Sequence, residues 1–272
     1  MWIESMFGRP KPVIGMVHLD CLPGAAGYNA SPGLQSVIDH AKGDYENLVL
    51  GGIDGVIFCN ENDKPYAKSM GRETIAAMTA VVLSVIQGGA RVPFGIDLQW
   101  DPFASLAVAC ATGAGFIRGI ICGTYCGDLG FLVPDTAGII KYRREIGAGH
   151  IKIITNLMPE FSQSMDSRPF SLVALTMTKS AMVDAISVSG AMAGQAAPYE
   201  QLQEIKEAVG GFPVVANTGV NFNTAADILR IADACIVATC LKEGGLPGGR
   251  IEKERVHRLM ETAGKEKNHG AY

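Results

Sequence analysis

The sequence lacks any apolar run of about 18 residues or more, the length that a membrane-spanning helix needs. Its first residues, "MWIESMFGRPKPVIGMVHL", also lack the positively charged start and the continuous apolar stretch of a secretory signal. We therefore expect no membrane insertion and a cytoplasmic location.

An excess of positive charge is also lacking. The 23 Lys and Arg residues are outnumbered by 27 Asp and Glu residues, which gives a net charge of −4. We expect no nucleic-acid partner, because nucleic-acid-binding proteins carry a basic surface. Basic residues are concentrated in the tail "GRIEKERVHRLMETAGKEKNHGAY", where acidic residues are interleaved in a helical pattern. This pattern predicts a solvated last helix with a short frayed end.

Cysteine is present without the spacing of a disulfide framework or a metal site. The seven cysteines are an odd number and lie mostly in apolar runs, where a reduced thiol acts as a small hydrophobic group. Cys122 and Cys126, in "CGTYC", have neither a second close pair nor a nearby histidine to complete a zinc site. We predict no metal site and no cofactor, with a divalent ion as an open alternative.

Short β-branched runs alternate with helical patterns along the chain, and many of the 33 glycines lie at the breaks. Near-continuous apolar strands that alternate with helices are typical of a parallel sheet buried on both faces. Eight such units predict an α/β fold, a (β/α)8 TIM barrel, as one domain over residues 1–272. A doubly wound sheet is the alternative, but no GxGxxG motif follows any predicted strand.

The predicted elements are separated by Gly, Pro or Asn. The predicted strands are Val13–Leu19, Ile53–Cys59, Val92–Leu98, Gly115–Ile121, His150–Thr155, Val183–Ser189, Phe212–Asn217 and Ala234–Cys240. The predicted helices are Leu34–Leu50, Glu73–Gln87, Phe103–Thr112, Thr136–Glu145, Leu172–Ser180, Tyr199–Val209, Asn223–Ile231 and Glu252–Ala263.

Small and hydroxyl-bearing residues follow the last three predicted strands. In TIM barrels the loops after the final strands commonly hold phosphate, because glycine permits close backbone approach and helix amides point at the anion. The stretch "VVANTGVN" has this composition around Gly219. The alternative is that Gly and Thr only make turns there. The predicted phosphate-binding residues are Ser189, Gly190, Asn217, Thr218, Gly219, Thr239 and Cys240.

Ionisable and amide side chains lie within or directly after the first five predicted strands. A histidine opposite a carboxylate can transfer protons, and a cation at the mouth can orient a substrate or stabilise an oxyanion. The structural alternatives are a core histidine at position 18 and an Asx-turn after the second strand. Arg118 and Lys152 lie within apolar strands, so each is expected to meet a carboxylate inside the barrel, with Asp97 as the best-placed partner. The predicted catalytic residues are His18, Glu61, Asp63, Asp97, Arg118 and Lys152, and the predicted substrate-binding residues are Asp20, Asn60, Asn62 and Asn156.

Five segments carry a resemblance to a known family: "VIGMVHLDCLPG", "GGIDGVIFCNENDKPY", "FIRG", "VSGAMAG" and "ANTGV" with the later "IADACIVATCLKEGG". In order and spacing they resemble the BtpA/SgcQ family nearly from end to end. The resemblance implies a ribulose-phosphate-binding barrel with phosphate held at Gly190, Gly219 and the Thr239 loop. One member of that family is linked to photosystem I accumulation, and others to gene sets resembling sugar-uptake and pentose-phosphate operons. The resemblance therefore implies no settled reaction.

The sequence keeps part of that family's pattern and replaces another part. The positions that match are His18, Glu61, Asn62 and Asp63. The positions that depart are Asp97 (Asn in the family), Gln99–Asp101 (Arg-Asn-Asp), the Ile154 and Thr155 region (Lys-His), Asn217–Gly219 (Gly-Ser-Gly) and Ala238–Thr239 (Gly-Ser). No catalytic base is therefore inherited from the fifth strand.

Two functions of different classes remain open at this point. The first is an enzyme of carbohydrate metabolism whose partner is a small phosphorylated metabolite, with aldol cleavage, isomerisation and glycosidic-bond cleavage as possible reactions. The second is a non-catalytic assembly or regulatory protein that uses the barrel as a scaffold, because a fold alone implies no activity. Apolar helix faces such as "IAAMTAVVLSVI" and "SLVALTMTKSAMV" exceed what a barrel needs to bury and predict a homo-oligomer.

Overall fold

Eight parallel strands close into a barrel in the computed structural model, which describes residues 1–190 and 197–267. The strands in chain order are β1 (Val13–His18), β2 (Gly55–Cys59), β3 (Phe94–Asp97), β4 (Phe116–Gly119), β5 (Tyr125–Gly127), β6 (Gly130–Leu132), β7 (Lys152–Asn156), β8 (Ser162–Ser164), β9 (Ala185–Val188), β10 (Val214–Ala216) and β11 (Ala234–Val237). Hydrogen bonds join the barrel strands in the order β1-β11-β10-β9-β7-β4-β3-β2, and β2 pairs with β1. The predicted (β/α)8 barrel is confirmed, and each predicted strand corresponds to one barrel strand.

Helices connect the barrel strands, and neighbouring helices pack against one another. They are α1 (Trp2–Phe7), α2 (Gly33–Leu50), α3 (Arg72–Val85), α4 (Pro102–Thr112), α5 (Thr136–Glu145), α6 (Phe170–Ser180), α7 (Tyr199–Val209), α8 (Ala225–Ile231) and α9 (Lys253–Lys267). The last part of the predicted frayed tail, residues 268–272, lies outside the described residues. No helix in the described part of the chain has both the length and the apolar character required to cross a bilayer.

The inside of the barrel is filled by its own apolar cluster, which includes Ile57 and Phe116. Helix α1 closes the amino-terminal end, since its Phe7 belongs to the same cluster and lies 5.8 Å from the ring of Phe116, centroid to centroid. The indole nitrogen of Trp2 donates to the carbonyl oxygen of Asp184 at 2.9 Å and anchors this helix. Six residues carry too little periodicity to predict α1 from sequence. A ligand site has to lie at the other end of the barrel.

The strand register brings polar residues to one level at that other end. His18 is paired with Cys59, and Cys59 is paired with Asp97. On the far side of the barrel, Asn156 is paired with Ser187. Because all eight strands run parallel, their carboxyl ends meet at the same mouth.

A three-stranded antiparallel sheet, in the order β6, β5, β8, lies apart from the barrel. It pairs the segment after β4 with the segment after β7, as in the register of Tyr125 with Ser164. The hydroxyl group of Tyr125 is buried and donates to the carbonyl oxygen of Leu157 at 3.1 Å. Strands of three residues are too short to show alternation, so they were not predicted from the sequence.

The two cysteines of "CGTYC" lie in different surroundings. Cys126 lies in β5, whereas Cys122 is buried, with its Sγ 3.6 Å from the hydroxyl oxygen of Thr155.

Gly95 makes room for the buried ring of Phe116. A Cβ atom at Gly95 would lie 2.4 Å from Cε2 of Phe116. We predict that Gly95→Ala lowers the free energy of unfolding by about 1–3 kcal/mol, because a close-packed core cannot absorb the methyl group without strain. Urea denaturation measures this difference. Gly211→Ala is the control, since nothing lies within 4 Å of its added Cβ atom, and equal stability of the two variants would contradict the prediction.

Candidate functional site

A cavity of about 660 Å³ opens at the carboxyl ends of the barrel strands, a size within the range of small-molecule sites. Met16 and Ile236, from the apolar barrel interior, line it from below. One part of the cavity carries charged side chains and another part is made of loop backbone. The ionisable lining residues are His18, Glu61, Lys64, Arg118, Glu160, Cys240 and Arg255.

His18 ends β1 and lies beside Lys242, which follows β11. The Nζ atom of Lys242 lies 3.2 Å from Nδ1 of His18 and donates to the carbonyl oxygen of Pro247 at 2.6 Å. An ammonium group can only donate, so Nδ1 is the acceptor and the neutral ring carries its proton on Nε2. Burial, and then the charge of Lys242, lower the pKa of His18 to about 3. His18 is therefore neutral at physiological pH and offers an N–H group.

Glu61 follows β2 and is held by two neighbouring side chains. Its carboxylate accepts from Nε2 of Gln99 at 3.1 Å and pairs with Nζ of Lys64 at 3.1 Å. The backbone amide of Gln99 donates to Oδ1 of Asn60 at 2.8 Å, and this contact fixes the backbone of Gln99. Burial raises the pKa of Glu61, but nearby polar and charged groups, including Lys64, lower it by more than burial raises it. The pKa of Glu61 therefore lies below its ordinary value. Glu61 is ionised at neutral pH.

The ion pair of Asp97 and Arg118 links β3 to β4, so Arg118 does meet the carboxylate that was predicted for it. Nη1 of Arg118 donates to Oδ2 of Asp97 at 2.8 Å, with both side chains buried. Burial raises the pKa of Asp97 to about 6, although Arg118 opposes the rise. Nε of Arg118 donates to Oδ1 of Asn156 at 3.2 Å, and that oxygen accepts from Ser187 at 2.6 Å. The guanidinium group is thus fixed from two sides.

Glu160, in the loop after β7, is a lining residue that sequence analysis missed. It accepts a hydrogen bond from the hydroxyl group of Thr218. Burial raises its pKa, Arg118 opposes the rise, and the carboxylates of Glu61 and Asp97 add to it. One cavity therefore contains two carboxyl groups whose pKa values are shifted in opposite directions. The residue lies beyond its predicted strand in "NLMPEF", where no periodic signal marks a position.

The loop after β10 presents its backbone to the cavity. Thr218 and Gly219 both have positive φ angles, 65° and 69°. The amide groups of Thr218, Gly219 and Val220 make no hydrogen bond with the part of the chain that the structure describes. The side chain of Asn221 donates to the carbonyl oxygen of Gly219 at 3.1 Å and holds the turn. Five predicted phosphate-binding residues line the cavity, namely Asn217, Thr218, Gly219, Thr239 and Cys240.

The structure corrects the prediction for Lys152. It is the first residue of β7, so it lies at the amino-terminal end of the barrel, opposite the cavity. Its Nζ donates to Asp184 at 3.0 Å, and Arg143 lies 3.3 Å from the same carboxylate. The predicted strand began at His150, which placed Lys152 too far along it. The expected carboxylate partner exists, but a catalytic role for Lys152 at the mouth is wrong.

Asn60 and Asp63 stabilise the loop after β2 and do not line the cavity. Nδ2 of Asn60 donates to Asp63 at 2.9 Å, and the other carboxylate oxygen of Asp63 accepts from the amide of Leu22 at 2.8 Å. These contacts match the turn alternative rather than catalysis or substrate binding. Asn62, from the same cluster, does line the cavity and donates to the carbonyl oxygen of Leu19 at 2.7 Å.

Asp20, Ser189 and Asn156 also lie behind or beside the cavity. Asp20 accepts from Arg250 at 2.7 Å and contacts His40 at 2.5 Å, outside the lining residues. Ser189 is buried and accepts from Asn217 at 2.9 Å. Gly190 borders residues 191–196, which lie outside the described residues. No group of three His, Cys, Asp or Glu side chains in the described ranges is arranged to hold a metal ion.

Comparison with known proteins gives the relatives of the chain. Residues 9–265 match the BtpA family. The chain belongs to this family. Over 260 residues it is 37% identical to the putative sgc region protein SgcQ of Escherichia coli strain K12, which covers 96% of this chain and 97% of SgcQ. Over 264 residues it is 27% identical to the photosystem I biogenesis protein BtpA of Synechocystis, covering 96% and 91% of the two chains.

Two solved structures similar to this BtpA-family barrel are enzymes whose names contain a phosphate compound. One is (S)-3-O-geranylgeranylglyceryl phosphate synthase from Thermoplasma acidophilum in complex with sn-glycerol-1-phosphate, with a TM-score of 0.60, 14% identity and 97% of each chain covered. Another is thiamine phosphate pyrophosphorylase from Pyrococcus furiosus, with a TM-score of 0.54, 14% identity, and 94% and 96% covered. At such identities the likeness shows the fold alone.

We predict that His18 stays neutral, with its proton on Nε2, down to about pH 5, where an ordinary histidine of pKa about 6.5 is protonated. Because the folded-state pKa is the lower one, this histidine favours folding fully above about pH 6.5 and progressively less as the pH falls towards 3. Lys242→Met should allow the neutral ring of His18 to carry its proton on either nitrogen and should raise the pKa of His18. Imidazole ¹⁵N NMR across the pH range measures both.

The control for this measurement is Lys141→Met, which removes an exposed lysine charge on α5. It should leave the tautomer and the pKa of His18 unchanged. A wild-type His18 that titrates near pH 6.5, or that carries its proton on Nδ1, would contradict the assignment.

Proposed function

We propose that the protein is an enzyme that acts on a phosphorylated sugar or ribose-phosphate-like metabolite by general acid–base chemistry. One observation supports this above all others. A single cavity combines two carboxyl groups of oppositely shifted pKa with a loop whose backbone amides make no hydrogen bond to the described residues and can donate to an anion. Proton transfer and phosphate binding are the two requirements of such a reaction.

The phosphate group would lie against the loop after β10 and the start of the turn at Thr239. Successive amides in a left-handed turn form a concave anion site. Thr218 adopts a positive φ, which is unfavourable for a β-branched residue and is retained mainly at functional positions. The similar synthase in complex with sn-glycerol-1-phosphate supports a phosphorylated ligand by analogy between folds.

The proton transfers would be divided between the two carboxyl groups. Glu61 is ionised and suits a general base, whereas the raised pKa of Glu160 suits a general acid. Arg118 is fixed by Asp97 and Asn156 and would stabilise an oxyanion that forms beside it. His18 would donate a hydrogen bond from Nε2 to the same group.

The lysines at the mouth favour proton-transfer chemistry over a Schiff-base aldol reaction. Lys64 lines the cavity, but it is largely exposed and its ammonium group is paired with Glu61. Lys242 is engaged by His18 and by a carbonyl oxygen. Burial lowers the pKa of Lys242, but this residue is not among those that line the cavity, so its amine is not placed to attack a bound carbonyl group. Isomerisation and glycosidic-bond cleavage are therefore the reaction types that we favour.

A non-catalytic scaffold is the second candidate, suggested by the name of the Synechocystis relative. Two exposed aromatic side chains, Phe131 in β6 and Phe161 directly before β8, could be covered by a partner. Self-association stays a prediction: Leu83 is exposed on the face over residues 75–86, and Leu172, Leu175 and Met182 are exposed on the face over residues 171–183. The enzyme hypothesis explains the cavity and its pKa shifts, whereas the scaffold hypothesis does not require them.

A screen of thermal unfolding against inorganic phosphate, sulfate and pentose, hexose and nucleoside phosphates tests the phosphate site. We predict that at least one sugar phosphate raises the melting temperature by several degrees, since a ligand at about 100 times its Kd adds roughly 2.7 kcal/mol of stability. Gly219→Asp should abolish the response, because a carboxylate would lie where the anion binds. Gly219→Asn, of the same shape without the charge, should keep part of it. No shift with any phosphate would reject the proposed site.

Turnover of the compound found in that screen tests the division between the two carboxyl groups. We predict that Glu61→Gln lowers kcat by at least about 100-fold and that Glu160→Gln removes the alkaline fall of the pH–rate profile. The wild-type rate should fall as pH drops through the lowered pKa of Glu61 and as it rises through the raised pKa of Glu160.

Glu61→Gln, compared with the wild type, separates the enzyme from the scaffold. Retained turnover in Glu61→Gln would contradict its assignment as the base. Absence of turnover in the wild type, together with partner binding that survives Glu61→Gln, would favour the scaffold instead.

A further inference from the structure

We propose that Arg255, from the first turn of α9, is the cation that binds the phosphate group in this cavity. This inference rests on the proposed function and names the side chain that neutralises the anion. Arg255 lines the cavity together with Gly219 and Thr239. The sequence pattern had predicted only a solvated helix for this segment, so the residue was not expected at the site.

The guanidinium group of Arg255 is held in place by a hydrogen bond from Nε and by an aromatic ring against its flat face. Its Nε donates to the carbonyl oxygen of Cys240 at 2.7 Å and lies 3.6 Å from a carboxylate oxygen of Glu252. Its Cζ lies 5.3 Å from the ring centroid of Phe222, which also lines the cavity. The side chain is therefore ordered before any ligand arrives, which reduces the entropy lost on binding.

The two Nη groups of Arg255 make no hydrogen bond with the described residues. The neighbouring loop leaves them space, since a Cβ atom at Gly245 would come within 3.3 Å of Nη2. A guanidinium group with both Nη groups available matches two oxygens of a phosphate in a bidentate contact. Such a contact would join Arg255 to the loop after β10, whose Phe222 ring its guanidinium group already faces.

The other positive side chains that line the cavity are bound to carboxylates through the groups that would face a ligand. Arg118 is paired with Asp97, and Lys64 is paired with Glu61. The loop amides are neutral, and the carboxyl group of Glu160 next to Thr218 opposes an incoming anion unless it is protonated. A phosphate dianion in this position needs a cation with available donors, and Arg255 has two Nη groups without a hydrogen bond to the described residues, whereas Arg118 has one.

Isothermal titration of the full-length protein with inorganic phosphate tests this role. We expect Arg255→Gln to weaken binding by roughly tenfold to a hundredfold, as expected for the loss of hydrogen bonds to a charged group. Arg255→Lys keeps the charge but loses the forked donors, so it should bind between the wild type and Arg255→Gln. The buried side chains of Val256 and Leu259 keep α9 docked in both variants.

Arg258 provides the matched control. It lies on the same helix, with its Cζ 4.5 Å from the same Phe222 ring, but it is exposed and does not line the cavity. Arg258→Gln removes the same charge from the protein and should change the phosphate affinity by less than about twofold.

The outcomes distinguish this inference from the proposed function. If the wild type binds phosphate, Gly219→Asp does not, and Arg255→Gln binds as the wild type does, Arg255 is not the cation and the phosphate site stands. Equal losses in Arg255→Gln and Arg258→Gln would also overturn the inference, because a general loss of charge would explain both. If the wild type binds no phosphate, both the inference and the phosphate site fail.

Discussion

The closed parallel register of the barrel is the constraint on which the rest of the structure depends. It brings the carboxyl ends of eight strands to one mouth, so residues far apart in sequence line a single cavity. His18, Cys59 and Asp97 lie at one level because each is the register partner of the next. The amino-terminal end is closed by α1 and its Phe7, which leaves one end of the barrel for a ligand.

Burial at that mouth gives its ionisable groups their different properties. Desolvation alone would neutralise every charge there, and specific partners decide which groups resist it. The pKa of Glu61 is lowered by partners such as Lys64, whereas Glu160 has a hydroxyl partner and its pKa is raised. Asp97 is paired with Arg118 and its pKa is raised to about 6. The cavity thus separates an ionised carboxylate from one that holds its proton more strongly.

The sequence predicted the fold well because strands buried on both faces have an unmistakable apolar pattern. It also located residues directly after strand ends, such as His18 and Gly219, because the fold fixes where strand ends lie. It missed Glu160 and Arg255, which reach the cavity from a longer loop and from the last helix, where only three-dimensional packing decides position. Lys152 was misplaced by a strand boundary error of two residues, from His150 to Lys152.

The central claim is that the mouth of this barrel binds a phosphate group between the loop after β10 and Arg255. A crystal structure of the protein with tungstate, an electron-dense phosphate analogue, tests this most directly. The account predicts an anion within hydrogen-bond distance of the amides of Thr218, Gly219 and Val220 and of the Nη groups of Arg255. An anion bound only elsewhere on the surface, with the mouth empty, would contradict it.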